Sequence, residues 1–228
     1  MLPMIARLLA LGAAVLVLIS LAQGWAPTRW MRTFWERHGG YLRWYVASAP
    51  GTCIYVGILA VTTWVLLGMP EHAKDLFLAA QSTNLEHLTR DPLRVLVRSA
   101  FFVSGTELLL WGALFLVFLA PAERWLGTGR ALVVFATGHI VATLLTAWGV
   151  YARIRWFHGP ESLWNVQDTG ASYGFMALAG IMVYRLRGWN RAALLTVLLG
   201  VVVYGFLPGT GFTATGHSFA VMVGLSLY

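Results

Sequence analysis

The chain has 228 residues, of which 58% are apolar and only 11% charged, with a mean hydropathy of +0.70. Soluble domains carry roughly a quarter charged residues, so a disordered chain, a coiled coil and an ordinary cytosolic enzyme are excluded. The net charge of +7 does not point to nucleic acid: all of the sixteen basic residues but Arg7 and Arg185 sit in connections between apolar stretches, where such charges set orientation and meet anionic headgroups. Cys53, the single cysteine, excludes an internal disulfide and a CxxC site.

A membrane span takes about 20 mostly apolar residues. Met4–Ala22 is the first such stretch and reads as an extra N-terminal helix. It is followed by a basic, Trp-rich segment with Trp25, Trp30, Trp35 and Trp44 among Arg29, Arg32 and Arg43, the composition of an interfacial belt. These make a first region, residues 1–49. Residues 50–228 form the second, a transmembrane core with six apolar stretches: Gly51–Met69, Thr106–Ala120, Ala131–Tyr151, Gly170–Leu186, Ala192–Leu207 and Phe212–Tyr228. The fold class is therefore an all-α polytopic membrane protein, a six-helix bundle plus one N-terminal helix. The last stretch ends after seventeen residues with no basic stop, so a longer natural C-terminus is expected.

Connections 23–50, 121–130 and 185–191 carry net charges of +3, +1 and +3, whereas 70–105, 152–169 and 208–211 are neutral. The positive-inside rule places the basic set and the C-terminus in the cytoplasm and the neutral set outside. Within 70–105, Arg94 and Arg98 lie four apart among Leu93, Val95, Leu96, Val97 and Phe101. That pattern predicts a segment in the outer interface with snorkelling arginines.

Two motifs fall where the chain re-enters the membrane from outside: Asp168-Thr169-Gly170-Ala171-Ser172-Tyr173-Gly174 and Thr215-Gly216-His217. A serine hydroxyl and an imidazole at one depth on neighbouring helices are the parts of a nucleophile–base dyad. Small residues bring such helices together: Gly170, Gly174, Ala177 and Gly180 on the fourth stretch, Gly216, Ala220 and Gly224 on the sixth. The alternative is that the glycines only pack and the two polar groups only satisfy backbone.

Gly170-x-Ser172, then His217-x-x-Ala220-x-x-x-Gly224, resembles the rhomboid intramembrane serine proteases, whose pattern is GxSG followed by HxxGxxxG. Glu123-Arg124-Trp125-Leu126-Gly127 is similar to the family's Glu-x-x-x-Gly turn. The likeness covers about residues 50–228, and Tyr173 makes it most like the divergent actinobacterial rhomboid-like membrane proteins. The resemblance implies that Ser172 attacks a peptide carbonyl in or beside a transmembrane segment, that His217 moves the proton, and that Pro208–Thr215 covers the site. It implies single-span membrane-protein substrates entering laterally, contact with membrane lipids, no nucleic acid, and no metal or cofactor. The setting it implies is a bacterial plasma membrane, with the active end facing outward.

Against the family pattern, Glu107 and Trp111 stand where a His and an Asn help bind the oxyanion, beside Gly170, Ala171 and Tyr173. Met176 stands where an aromatic often lies under the histidine. These departures favour a catalytically silent relative that binds transmembrane clients or serves as a subunit of a larger complex. Glu107 also fits a capping box with Ser104. Asp168 is expected to cap the fourth helix, with orientation of His217 as the lesser reading. His139, in mid-span, is expected to hydrogen-bond a neighbouring helix, ahead of ligating haem or joining Glu107 in a proton relay. His87 is expected to be solvated.

Overall fold

The computed structural model describes residues 2–23, 29–103, 107–168 and 171–228, and all regular structure among them is helical. It divides into two compact units, Met1–Pro50 and Gly51–Tyr228. In the first unit, α1 (Leu2–Gln23) is apolar but for Arg7, Ser20 and Gln23, and α2 (Arg29–Ser48) is amphipathic. The segment expected at the interface is thus a full helix. Trp30, Phe34, Tyr41 and Tyr45 recur at helical spacing on one side, and Arg29, Arg32 and Arg43 lie on the other. Trp25 lies outside the described residues.

The second unit begins with α3 (Pro50–Leu66), followed by three short helices, α4 (Glu71–Ala80), α5 (Leu85–Arg90) and α6 (Pro92–Ser99). In α6, Val95, Leu96 and Ser99 are buried while Arg94 and Arg98 stay exposed. Helices α7 (Leu108–Leu114) and α8 (Ala120–Leu126) are joined by a π-helical turn, Phe115–Leu119. The widening falls just before Pro121, which has no N–H to continue the regular ladder. Next come α9 (Thr128–Trp156), α10 (Ser172–Arg185), α11 (Gly188–Gly205) and α12 (Phe212–Ser226).

Gly127 makes the corner between α8 and α9 at φ +82°, ψ 153°, a region open essentially to glycine alone. The corner is fixed by Glu123, which is 4% exposed. Its carboxylate accepts hydrogen bonds from the N–H groups of Gly51 (2.8 Å) and Thr52 (2.7 Å) and from the hydroxyls of Thr52 and Thr128 (both 2.7 Å). The Glu-x-x-x-Gly turn therefore ties the start of α3 to the α8–α9 corner.

Among the described residues three helical segments, Leu108–Leu126, Thr128–Trp156 and Gly188–Gly205, are long and apolar enough to cross a membrane, and a fourth is added if Arg29–Ser48 and Pro50–Leu66 are one broken span. The protein is an integral, all-α polytopic membrane protein. Of the stretches read as spans, α10 has only 14 residues, below the length of an ordinary span. Instead α10 is the enclosed centre: eleven of its residues are buried, against α9, α11 and α12. Such a helix is apolar because it is surrounded by protein, which hydropathy does not distinguish from lipid.

Candidate active site

The site is set by how closely α10 and α12 approach. A Cβ on Gly180 would lie 2.8 Å from the Val221 carbonyl oxygen, and one on Gly224 would collide with the Ala177 backbone. Ala220, fully buried, packs beside Ala142 of α9 and Tyr173 of α10. Gly174 belongs to a different seam, since its missing side chain faces the Phe135 ring of α9 at 2.5 Å. Positions 174 and 180 are six residues apart, so at 3.6 residues per turn they point to different sides of α10. The single stripe expected from the sequence is therefore divided between two helix contacts.

Ser172 is the first residue of α10 and is buried; Ala171 precedes it and makes no side-chain cap. The first N–H groups of a helix lack intrahelical acceptors. His217, half-buried on α12, lines a cavity of about 360 Å³ together with Met176, Ala214 and four residues of α11, among them Tyr204. Its Nε2 is buried and has no hydrogen-bond partner. No hydrogen bond joins Ser172 to His217. The aromatic ring against the imidazole comes from Tyr173, at a centroid distance of 5.5 Å and an angle of 86°. That ring also occupies the space a side chain at position 216 would need, since a Cβ on Gly216 would strike the Tyr173 hydroxyl.

The remaining expected site residues are scattered. Gly170, Ser104, Gly105 and Thr106 lie outside the described residues. Glu107 is exposed, immediately precedes α7 and makes no side-chain bond to it. The capping box needs this carboxylate at the third helical position, and the helix starts three residues too late for that. Trp111 packs on Phe115 and Phe175, with centroids 5.8 and 5.7 Å away. Helix α12 already begins at Phe212, so the covering loop is confined to residues 206–211.

Asp168 does not cap α10 among the described residues. Its carboxylate accepts from the Thr213 hydroxyl (3.2 Å), the Thr83 hydroxyl is shared between the Asp168 carbonyl (3.0 Å) and the carboxylate (3.3 Å), that carbonyl also accepts from Thr83 N–H (2.8 Å), and Asp168 N–H donates to Ser82 Oγ (2.7 Å). Burial pushes this carboxyl upward from the ordinary carboxylate value, an effect partly offset by the Thr213 and Thr83 hydroxyls. Ser82 and Thr83 were not singled out from the sequence, because they lie 85 or more residues away in an irregular turn. His87 is not simply solvated either; its Nδ1 is 2.9 Å from the Ser82 carbonyl.

A second Ser–His pair lies nearby. Ser99 Oγ is 3.1 Å from His139 Nε2, and both residues are buried. The same nitrogen is 2.9 Å from the Leu96 carbonyl. Since a carbonyl only accepts, the proton on that imidazole sits on Nε2, and the Ser99 hydroxyl has its own route to Leu96 O at 3.3 Å. His139 thus bonds to a neighbouring helix, as expected, and its Nδ1 is left without a partner. No group of three or more His, Cys, Asp or Glu residues that could hold a metal occurs among the described residues.

Fold and site together define a polytopic helical membrane protein with buried serines and imidazoles between its central helices. The family described as Rhomboid-like protein matches residues 44–228, most of the chain, and the protein belongs to that family. No curated protein and no solved structure matches it. The family match and a buried Ser–His hydrogen bond are consistent with a rhomboid-type serine protease.

Proposed function

We propose that the protein is a rhomboid-type intramembrane serine protease in which Ser172 is the nucleophile and His217 the general base. The observation that carries this choice of pair is the buried, unpartnered Nε2 of His217, on the helix that packs most closely against the one Ser172 begins. A base must have a free lone pair. In the Ser99–His139 pair the shared nitrogen is occupied by Leu96, which favours Ser172–His217. The pair closes to about 2.6–3.2 Å when substrate is bound, as catalytic hydrogen bonds do when apo geometry is loose.

Ser172 Oγ attacks the peptide carbonyl carbon and its proton passes to His217. The first N–H groups of α10 face the developing oxyanion. The imidazolium then protonates the leaving amine, and water hydrolyses the acyl-enzyme by the reverse proton path. The substrate is a single-span membrane protein entering between helices. The setting is a bacterial plasma membrane of the actinobacterial type, with a six-helix core, the site towards the outside, the C-terminus in the cytoplasm, lipids around it and no metal or cofactor required.

The second reading, a silent relative that binds transmembrane clients or joins a larger complex, is favoured by the Tyr173 ring against His217 and the missing Ser172–His217 bond. Labelling with a fluorescent fluorophosphonate in detergent separates the two. The protease reading predicts labelling of wild type and loss in both Ser172→Ala and His217→Ala. Unlabelled wild type that is folded and monodisperse supports the silent reading.

A further inference from the structure

Helix α3 is tied to the rest of its unit by hydrogen bonds along its length. At its start, Gly51 and Thr52 donate to Glu123. Further along, the Tyr55 hydroxyl donates to the Ala100 carbonyl (2.6 Å) and the Thr62 hydroxyl to the Phe101 carbonyl (2.8 Å). Those two carbonyls directly follow α6, whose Leu96 carbonyl is held by His139 of α9 at 2.9 Å. Helix α6 therefore bridges α3 and α9, and an open cavity of about 460 Å³ is lined by all three. Ile54 of α3, Val97 of α6 and Leu132 of α9 line it and are exposed, whereas Leu119 and Leu178 line it and are buried. At one end Thr52 and Thr128 both bond to Glu123, so the polar corner is already satisfied.

Protein interiors are close-packed, with few voids larger than a water molecule. This gap instead has the size of a ligand site, about 300–1,000 Å³. Its rim continues into the outer face of the spanning helix α9, where Leu132, Val133 and Ile140 are all exposed. The medium that meets such a face is hydrocarbon. Along α9 the lining runs from Thr128 to Ile140, a rise of about 18 Å at 1.5 Å per residue. That is close to the depth of one leaflet, half of the ~30 Å hydrocarbon core. Lipid tails are as apolar as leucine, so a chain gains no hydrophobic free energy by leaving the bilayer for the groove. Residence there needs a polar anchor. Arg94 and Arg98 share the exposed face of α6 with the rim residue Val97, and neither forms an ion pair among the described residues. Guanidinium groups pair with phosphate by charge-assisted hydrogen bonds.

We propose that this groove binds an anionic phospholipid, with one acyl chain between α3 and α9 and the phosphate held by Arg94 and Arg98. Apolar lining and unpaired cations adjoin at Val97, so one molecule with a charged head and a hydrocarbon tail engages both. The groove shares no lining residue with the cavity beside His217, so the inference stands apart from the protease reading.

The test uses full-length protein in phosphatidylcholine vesicles with a trace of phosphatidylglycerol that carries a diazirine at the end of one acyl chain. After irradiation, adducts are located by peptide mass spectrometry. Adducts on the buried residues Leu119 and Leu178 are expected, because a chain in the groove reaches them. A bilayer that only surrounds the protein labels exposed residues such as Ile54 and Leu132 alone, and that result overturns the proposal. The same diazirine on phosphatidylcholine is expected to give roughly fivefold fewer inner adducts. Arg94→Gln combined with Arg98→Gln is expected to remove that difference. Equal inner labelling by the two lipids in wild type overturns the anionic headgroup. Ala136→Trp, on the half-buried rim, is expected to fill the mouth and abolish the inner adducts; their persistence in that folded variant overturns the proposal. Displacement of the probe by a single-span peptide, and not by unlabelled phosphatidylglycerol, assigns the groove to a transmembrane client and overturns it as well.

Discussion

The two buried carboxylates of the core behave as opposites. Glu123, at the α8–α9 corner, receives four donors within 2.8 Å. Asp168, at the head of α10, accepts two longer ones at its side-chain oxygens, and buried polar atoms of α9, α10 and α12 have no hydrogen-bond partner: His139 Nδ1, Thr143 Oγ1, Tyr173 Oη and His217 Nε2. Buried polar groups are normally satisfied, and each exception calls for a reason. The Glu123 end is built to hold helices together. The Asp168 end leaves donors and acceptors unspent, as a site must if substrate is to engage them.

The contrast is broken most severely at Glu123. Glu123→Ala removes the acceptor of four donors, of which the Thr52 N–H and hydroxyl are buried, and is expected to cost about 2–4 kcal/mol, since each stranded buried group costs about 1–3 kcal/mol, read as a large fall in thermal midpoint in detergent. Next is the α10–α12 seam: Gly224→Leu forces the Ala177 backbone away and is expected to destabilise by about 1–3 kcal/mol. It should also abolish fluorophosphonate labelling, because the seam sets the Ser172–His217 approach. Gly127→Ala places a side chain at φ +82° and is expected to cost about 1–3 kcal/mol, with labelling of the surviving folded fraction unchanged.

The smallest effect is a pH dependence. Because burial raises the Asp168 carboxyl in the folded protein, its contribution to stability is fully present below the unfolded carboxylate value of about 3.9. That contribution is lost as pH rises through the raised folded value. From pH 4 towards neutrality, wild type should therefore lose stability relative to Asp168→Asn, a difference that thermal unfolding across that range would measure. A flat difference would mean that Asp168 is no more burdened by burial than an exposed carboxylate.

Much of this division was visible in the sequence, and the exceptions have physical causes. Membrane character, helix order and the Ser172 and His217 positions follow from hydropathy and short motifs, because apolar length and local spacing are linear properties. The inner helix α10 reads as an ordinary span because a helix wrapped in protein is as apolar as one wrapped in lipid. The α2 helix was read only as an interfacial segment because its arginines mask an apolar face. The partners of Asp168, Thr83 and Thr213, lie 85 and 45 residues away, and no local pattern marks them. Glu107 fits a capping box in the sequence, but the helix that follows starts too late to use it.

The central claim is that reactivity resides at Ser172 rather than at the better-bonded Ser99. The direct measurement is to treat full-length protein with a fluorophosphonate, digest it and locate the phosphonyl adduct by mass spectrometry. The account predicts an adduct on Ser172 that disappears in His217→Ala and persists in His139→Ala. An adduct on Ser99, or none on folded protein, would contradict it.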